Sequence, residues 1–166
     1  MHETRIRARH VRGIGGGART LSLQLPLLAR EVPALAACHA GTLNLQLAVP
    51  LIVARPDHRT RSIMWEPGEQ EVFDLLRIEL EVPFEGARHP AWLYIAHQSP
   101  HRATPRVHEV IAPYIDLQAH TELAVVLQQP CVRPSRAASG TRAALHARLR
   151  ARSPILGSRR SRRPRR

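Results

Sequence analysis

The sequence predicts a mainly β fold, an all-β barrel with one or two short helical turns, and two observations carry that expectation. Apolar and polar residues alternate in several separate stretches, the period of a half-buried strand. Those stretches are short and are divided by segments containing proline or glycine, a spacing that fits a barrel better than a βαβ protein.

Residues 1–12 are basic and short of apolar groups, with Val11 placed to begin a strand that runs into Gly13-Ile14-Gly15-Gly16-Gly17. Thr20 to Leu25 alternates, with Leu21, Leu23 and Leu25 on one side, and is expected as a strand. Pro26 to Ala37 is rich in Leu and Ala, so a turn or two of helix is expected there, broken at Pro33. Thr42 to Val49 alternates again, and Leu51 to Ala54 continues it beyond Pro50. Asp57 to Gly68 is polar and is expected as a loop. Arg77–Val82, Ala91–Ala96, Val107–Ala112 and Leu123–Leu127 complete the expected strands, with Gln98–Arg106 irregular because of Pro100 and Pro105.

Charge divides the chain. Of 166 residues, 1–130 hold 13 Arg and 13 Asp plus Glu, whereas 131–166 hold 12 Arg and no acid, so the net charge of +12 belongs to the last stretch. A domain over 1–130 and an Arg-rich tail over 131–166 are expected, the tail disordered because it combines low hydrophobicity with high charge. Such a tail can touch nucleic-acid phosphates without sequence choice. Two cysteines, Cys38 and Cys131, give neither a disulfide framework nor a zinc spacing. No apolar run reaches the roughly 20 residues that span a bilayer. Leu35-Ala36-Ala37-Cys38 has the form of a lipoprotein cleavage box, but Gln24, Arg30, Glu31 and Pro33 interrupt the apolar stretch before it. A cytoplasmic monomer acting on small molecules, without a membrane partner, is the expectation.

Three segments carry chemistry. The glycine-rich loop can aim backbone N–H groups at phosphate oxygens. It is not a P-loop, because the chain has no Lys. In Gly41-Thr42-Leu43-Asn44, a strand would project Thr42 and Asn44 to one face, offering two hard, neutral oxygens. Mg²⁺ accepts few protein ligands and keeps waters and substrate phosphates, so such a pair suits a metal that arrives with a nucleotide. Glu109, before Val110-Ile111-Ala112-Pro113, can accept a proton from a substrate hydroxyl. Taken singly, the glycine loop is more often a plain turn, Thr42 and Asn44 are as readily solvated strand residues as ligands, and Glu109 is more often a surface strand residue. His97 and His101 are four residues apart, but Pro100 between them prevents a helical pair, and with His108 they are expected as polar loop residues.

In order, Val11-Arg-Gly-Ile-Gly-Gly-Gly17, Leu21-Ser-Leu23, Ala40-Gly-Thr-Leu-Asn-Leu-Gln-Leu47 and Glu109-Val-Ile-Ala-Pro113 resemble the archaeal, CTP-dependent riboflavin kinase family over roughly residues 9–127. The resemblance implies a six-stranded cradle-loop β-barrel that moves the γ-phosphate of CTP to the 5′-hydroxyl of riboflavin, making FMN. It implies that Ile14, Gly15, Gly16, Gly17, Ala18 and Arg19 wrap the CTP phosphates and that Thr42 and Asn44 hold Mg²⁺. Glu109 would contact the ribityl end and orient or deprotonate the attacking hydroxyl. Ser99 would stand where the family has a flavin-binding Thr, and Tyr114, Ile115, Asp116 and Leu117 would contact the cytidine. Gly16 stands where the family usually has Glu, and Asp116-Leu117 where it usually has Leu-Arg. The donor can therefore be another NTP. A non-catalytic flavin- or nucleotide-binding module, or a basic RNA-associated protein, is the alternative.

Overall fold

The computed structural model describes residues 3–13, 15, 17–83, 86–98, 106–118, 121–128 and 132–134. The chain divides into units Met1–Ser135 and Arg136–Arg166, and every described residue lies in the first. The expectations for Ile14, Gly16, Ser99, His101, Cys131 and the Arg-rich run fall outside the described residues.

The protein is mainly β. In chain order come β1 (Glu3–Val11), α1 (Gly17–Glu31), a 3-10 helix (Pro33–Ala37), β2 (Leu43–Leu47), β3 (Leu51–Val53) and β4 (His58–Arg59). Then follow β5 (Ile63–Glu66), β6 (Glu69–Glu71), β7 (Phe73–Glu81), β8 (Arg88–Ala96), β9 (Val107–Ile111), β10 (Glu122–Gln128) and β11 (Val132–Pro134). The strand order is β10-β1-β2-β9-β8-β7-β4, and β10 also pairs with β7, so six antiparallel strands close a ring. Ring closure leaves none of the six as an open edge over its paired length, which removes a template for aggregation. β5 and β6 form a separate hairpin that turns at Gly68, whose φ of 85° suits glycine.

Side-chain alternation sorts the ring strands into two faces. Inside, Leu45, Leu76, Leu80, Leu93, Val110 and Val125 belong to one buried cluster. Outside, Phe73, Leu75, Trp92, Tyr94 and Ile111 form a second cluster with α1 and the 3-10 helix, through Leu21, Leu25, Leu28 and Leu35. The helix thus covers the outer face of β7, β8 and β9.

Four sequence expectations are corrected here. Thr20–Leu25 is helical, not a strand. Leu21, Leu25, Leu28, Val32 and Leu35 recur at steps of four and three, and this stripe buries more than alternation would. Leu23, which a strand would have buried beside Leu21 and Leu25, is partly exposed instead. Pro26 lies within α1 on its exposed side, so the helical hydrogen bond it cannot donate belongs to a face that meets water. The helix stops at Glu31 and the 3-10 helix begins at Pro33, the expected break. Residues 3–11, set aside as merely basic, form β1: Ile6 and Ala8 face the interior while Arg5, Arg7 and Arg9 face solvent. The polar stretch 57–68 contains β4 and β5 rather than a loop throughout. Val132–Pro134, assigned to the tail on sequence, pairs with Leu51–Val53.

Candidate functional site

A row of register partners crosses five strands on the outer face: Val11 opposite Asn44, Asn44 opposite Glu109, Glu109 opposite Tyr94, and Tyr94 opposite Leu75. Directly opposed residues hold their Cβ atoms about 5 Å apart, so this row brings together groups far apart in sequence. A cleft of about 630 Å³ lies over it. The glycine loop and the first turns of α1 form one wall, Gly41 and Thr42 a second, and the β5–β6 hairpin a third through Trp65, Glu69 and Gln70.

The loop and the Thr–Asn pair are fitted to each other. A Cβ on Gly13 would stand 2.6 Å from Asn44 Nδ2, and one on Gly17 would stand 3.2 Å from Thr42 Oγ1. Gly15 has φ 89°, a left-handed conformation that L side chains rarely adopt. Glycine is therefore required at Gly13 for close approach and at Gly15 for backbone geometry. Because α1 begins at Gly17, the loop delivers a helix N-terminus to the cleft, with unpaired N–H groups and the positive end of the helix dipole. The sequence reading placed a strand after the loop and so missed this terminus.

Thr42 Oγ1 donates to Glu109 Oε1 at 3.3 Å. Asn44 is 7% exposed, and its Oδ1 is buried without a hydrogen-bond partner. A buried amide oxygen left unpaired costs roughly 1–3 kcal/mol, so such an atom is a place where a ligand would supply the missing contact. Thr42, Asn44 and Glu109 together present hard oxygens, the donor set suited to Mg²⁺. No group of three or more His, Cys, Asp or Glu positioned for a metal occurs among the described residues.

The lining of the cleft is acidic. Among the described residues lining the cleft are the carboxylates of Glu69, Glu71 and Glu109 and no arginine. Such a lining favours a cation, and the α1 N-terminus is the positive end within the cleft wall.

Sequence reasoning missed the floor of the cleft. Tyr94 donates its hydroxyl hydrogen bond to Gln24 Oε1, and Gln24 is 3% exposed. Burial first, then the nearby charges of Glu109 and Glu71, push the Tyr94 phenol well above its ordinary value, so it stays a donor at neutral pH. Glu71 accepts hydrogen bonds from the backbone N–H of Val72 at 2.9 Å and of Gln98 at 3.0 Å, which fixes its carboxylate at the cleft wall. Helical spacing was the signal available for Gln24: it lies on the same α1 face as Leu21, Leu25 and Leu28 and is the polar interruption of that stripe. Nothing local marks Glu71.

The other expected site residues divide. Gly15, Gly17 and Ala18 line the cleft with Thr42, Asn44 and Glu109. Arg19 is exposed and pairs with Glu66 of β5 at 3.4 Å, tying the helix to the hairpin rather than lining the cleft. Tyr114, Ile115, Asp116 and Leu117 are not among the lining residues either. Tyr114 meets His39 edge-on at 5.5 Å, and Ile115 packs on the interior cluster. His39 in turn accepts a hydrogen bond at its carbonyl from Gly41 N–H at 2.8 Å, so Tyr114 touches the segment that leads to Gly41. No protein-family model matches the chain, and no curated protein matches it in sequence.

Proposed function

We propose that this protein is a riboflavin kinase, transferring the γ-phosphate of CTP, or of another nucleoside triphosphate, to the 5′-hydroxyl of riboflavin. The observation that carries the reading is the meeting of the glycine loop, Thr42, Asn44 and Glu109 in one cleft, with the buried Asn44 Oδ1 lacking a partner. Its volume of about 630 Å³ lies within the range of roughly 300–1,000 Å³ found for small-molecule sites.

The residues divide the work. Backbone N–H groups at the start of α1 bind phosphate oxygens and orient the triphosphate. Thr42 Oγ1, Asn44 Oδ1 and a Glu109 oxygen would hold a divalent cation, which would neutralise charge on the transferring group. Glu109 also faces the acceptor. Its free oxygen accepts the hydroxyl proton as the hydroxyl oxygen bonds to the γ-phosphorus and the bond from that phosphorus to the β-phosphate bridging oxygen breaks. The nucleoside diphosphate leaves with that bridging oxygen. Tyr94, in the row, and Gln24 are held together by their hydrogen bond and present a polar floor to the acceptor. Phosphoryl transfer asks mainly for alignment and charge neutralisation, so the absence of lysine is no obstacle.

The test is FMN formation from riboflavin and Mg²⁺ with each of the four nucleoside triphosphates in turn. The expected result is FMN with at least one donor, abolished by Glu109→Gln. Flavin binding without turnover with any donor would replace the kinase by a binding module. Absence of both flavin and nucleotide binding would overturn the reading.

A further inference from the structure

A second, smaller cleft of about 260 Å³ lies farther along the outer face of β1 and β2, lined by Arg7, Arg9, Gln46, Arg106 and Glu122. We infer that it is a separate anion site for a short phosphate chain, such as an inorganic diphosphate, held by Arg7, Arg9 and Arg106.

The backbone builds the site. Leu47 N–H donates to the Arg106 carbonyl at 2.7 Å, and the next amide, Ala48 N–H, donates to the Arg7 carbonyl at 2.8 Å. Two successive amides at the end of β2 thus fix one arginine on each side of the same point. Arg9 lies opposite Gln46 in register, and its Nη2 donates to Gln46 Oε1 at 3.1 Å. That bond orients the guanidinium while leaving most of its five N–H donors unused. Neither Arg7 nor Arg106 pairs with a carboxylate among the described residues, whereas the neighbouring Arg5 is paired with Glu81. Guanidinium groups bind phosphate oxygens through two parallel hydrogen bonds, and three converging on one cleft match an anion with several terminal oxygens.

The surroundings limit the ligand's length. Glu122 is the register partner of Arg9, so one flank is acidic. At the far end of β1, Glu3, Glu79 and Glu81 gather around Arg88 and Arg5. A long polyanion lying along β1 would meet carboxylates at both ends. A short one would meet the three arginines and the single carboxylate of Glu122, a lining charge of +2. The volume is also below the roughly 300 Å³ at which sites for larger small molecules begin.

The test is titration of the full chain with inorganic diphosphate, following backbone amides by NMR. Amide signals report the site locally, so binding of the anion to arginines elsewhere in the chain does not confuse the result. Ala8, Leu47 and Ala48 are expected to shift, and the Arg7→Ala/Arg106→Ala double variant should need about tenfold more diphosphate for the same shift. Both side chains are exposed, so the fold should persist, with the remaining amide spectrum as the control. Unmoved amides, or an unchanged midpoint in the variant, would overturn the inference. A single-stranded oligouridylate that moves the same amides at lower concentration than diphosphate would replace the short ligand by a nucleic-acid backbone.

Discussion

The two faces of the ring at β2, β9 and β8 differ in what they leave unfinished. On the inner face, Leu45, Val110 and Leu93 are fully buried among apolar neighbours. On the outer face, one residue along each strand, Asn44, Glu109 and Tyr94 form a polar row, and Asn44 keeps an unpaired buried oxygen. The alternation of a strand allows this division: a single backbone serves stability on one side and chemistry on the other. Substitutions on the inner face should therefore act on folding, and those on the outer row on ligand binding.

The largest expected effect is on the inner face. Leu93→Ala should lower the free energy of unfolding by about 2–5 kcal/mol, because it removes apolar contacts and leaves a cavity. Denaturant titration measures this, and ligand affinity of the folded fraction should stay as in the parent. Next comes Asn44→Ala on the outer row, expected to lower FMN formation about 100-fold, the scale of losing one preorganised polar contact to the transferring group. Its Tm should hold or rise, since the substitution removes a buried unpaired oxygen that costs about 1–3 kcal/mol, against the packing lost with the side chain. A large fall in Tm with activity intact would reverse the assignment of the two faces.

Glycine substitutions give finer resolution. Gly13→Ala should weaken nucleotide binding more than Gly17→Ala, because the new Cβ meets buried Asn44 at 2.6 Å in the first case and only the Thr42 hydroxyl at 3.2 Å in the second. Calorimetric titration of both variants checks the order. The smallest effect is alkaline. Tyr94's phenol is raised in the folded state above its ordinary value of 10, so its contribution to stability is whole below that pH. Above it, the unfolded chain releases the proton and the folded one retains it, so stability should decline by up to about 1.4 kcal/mol per pH unit. Tyr94→Phe should remove this part of the decline.

Legibility in the sequence followed the same division of faces. The strands around Leu45 and Leu80 were evident because alternation is a local property, and those around Leu93, Val110 and Val125 because short apolar runs stand between turn residues. Thr20–Leu25 misled because a six-residue window satisfies both periods; only the longer stripe from Leu21 to Leu35 distinguishes the helix. β1 escaped because Arg5, Arg7 and Arg9 dominate its composition, while its inward residues include small Ala8. β5 could not be seen from 57–68, since its partner Glu69–Glu71 begins beyond that window. In the cleft, Gly15, Gly17, Thr42, Asn44 and Glu109 were marked by motif, but Gln24 and Glu71 come near Tyr94 and Gln98 only through tertiary packing. The α1 N-terminus was lost with the helix itself.

The cleft has carboxylates and no arginine among its described lining residues, so cation dependence is its most direct test. CTP should be titrated into the protein with Mg²⁺ and again with excess chelator, following the backbone amides of Gly13, Gly15, Gly17 and Asn44 by NMR. With Mg²⁺ these four amides should shift together at saturable CTP concentration, and with chelator they should return to their free positions. Equal binding in both conditions, or Mg²⁺-dependent shifts that leave these four amides unmoved, would contradict a phosphate and metal site at Asn44.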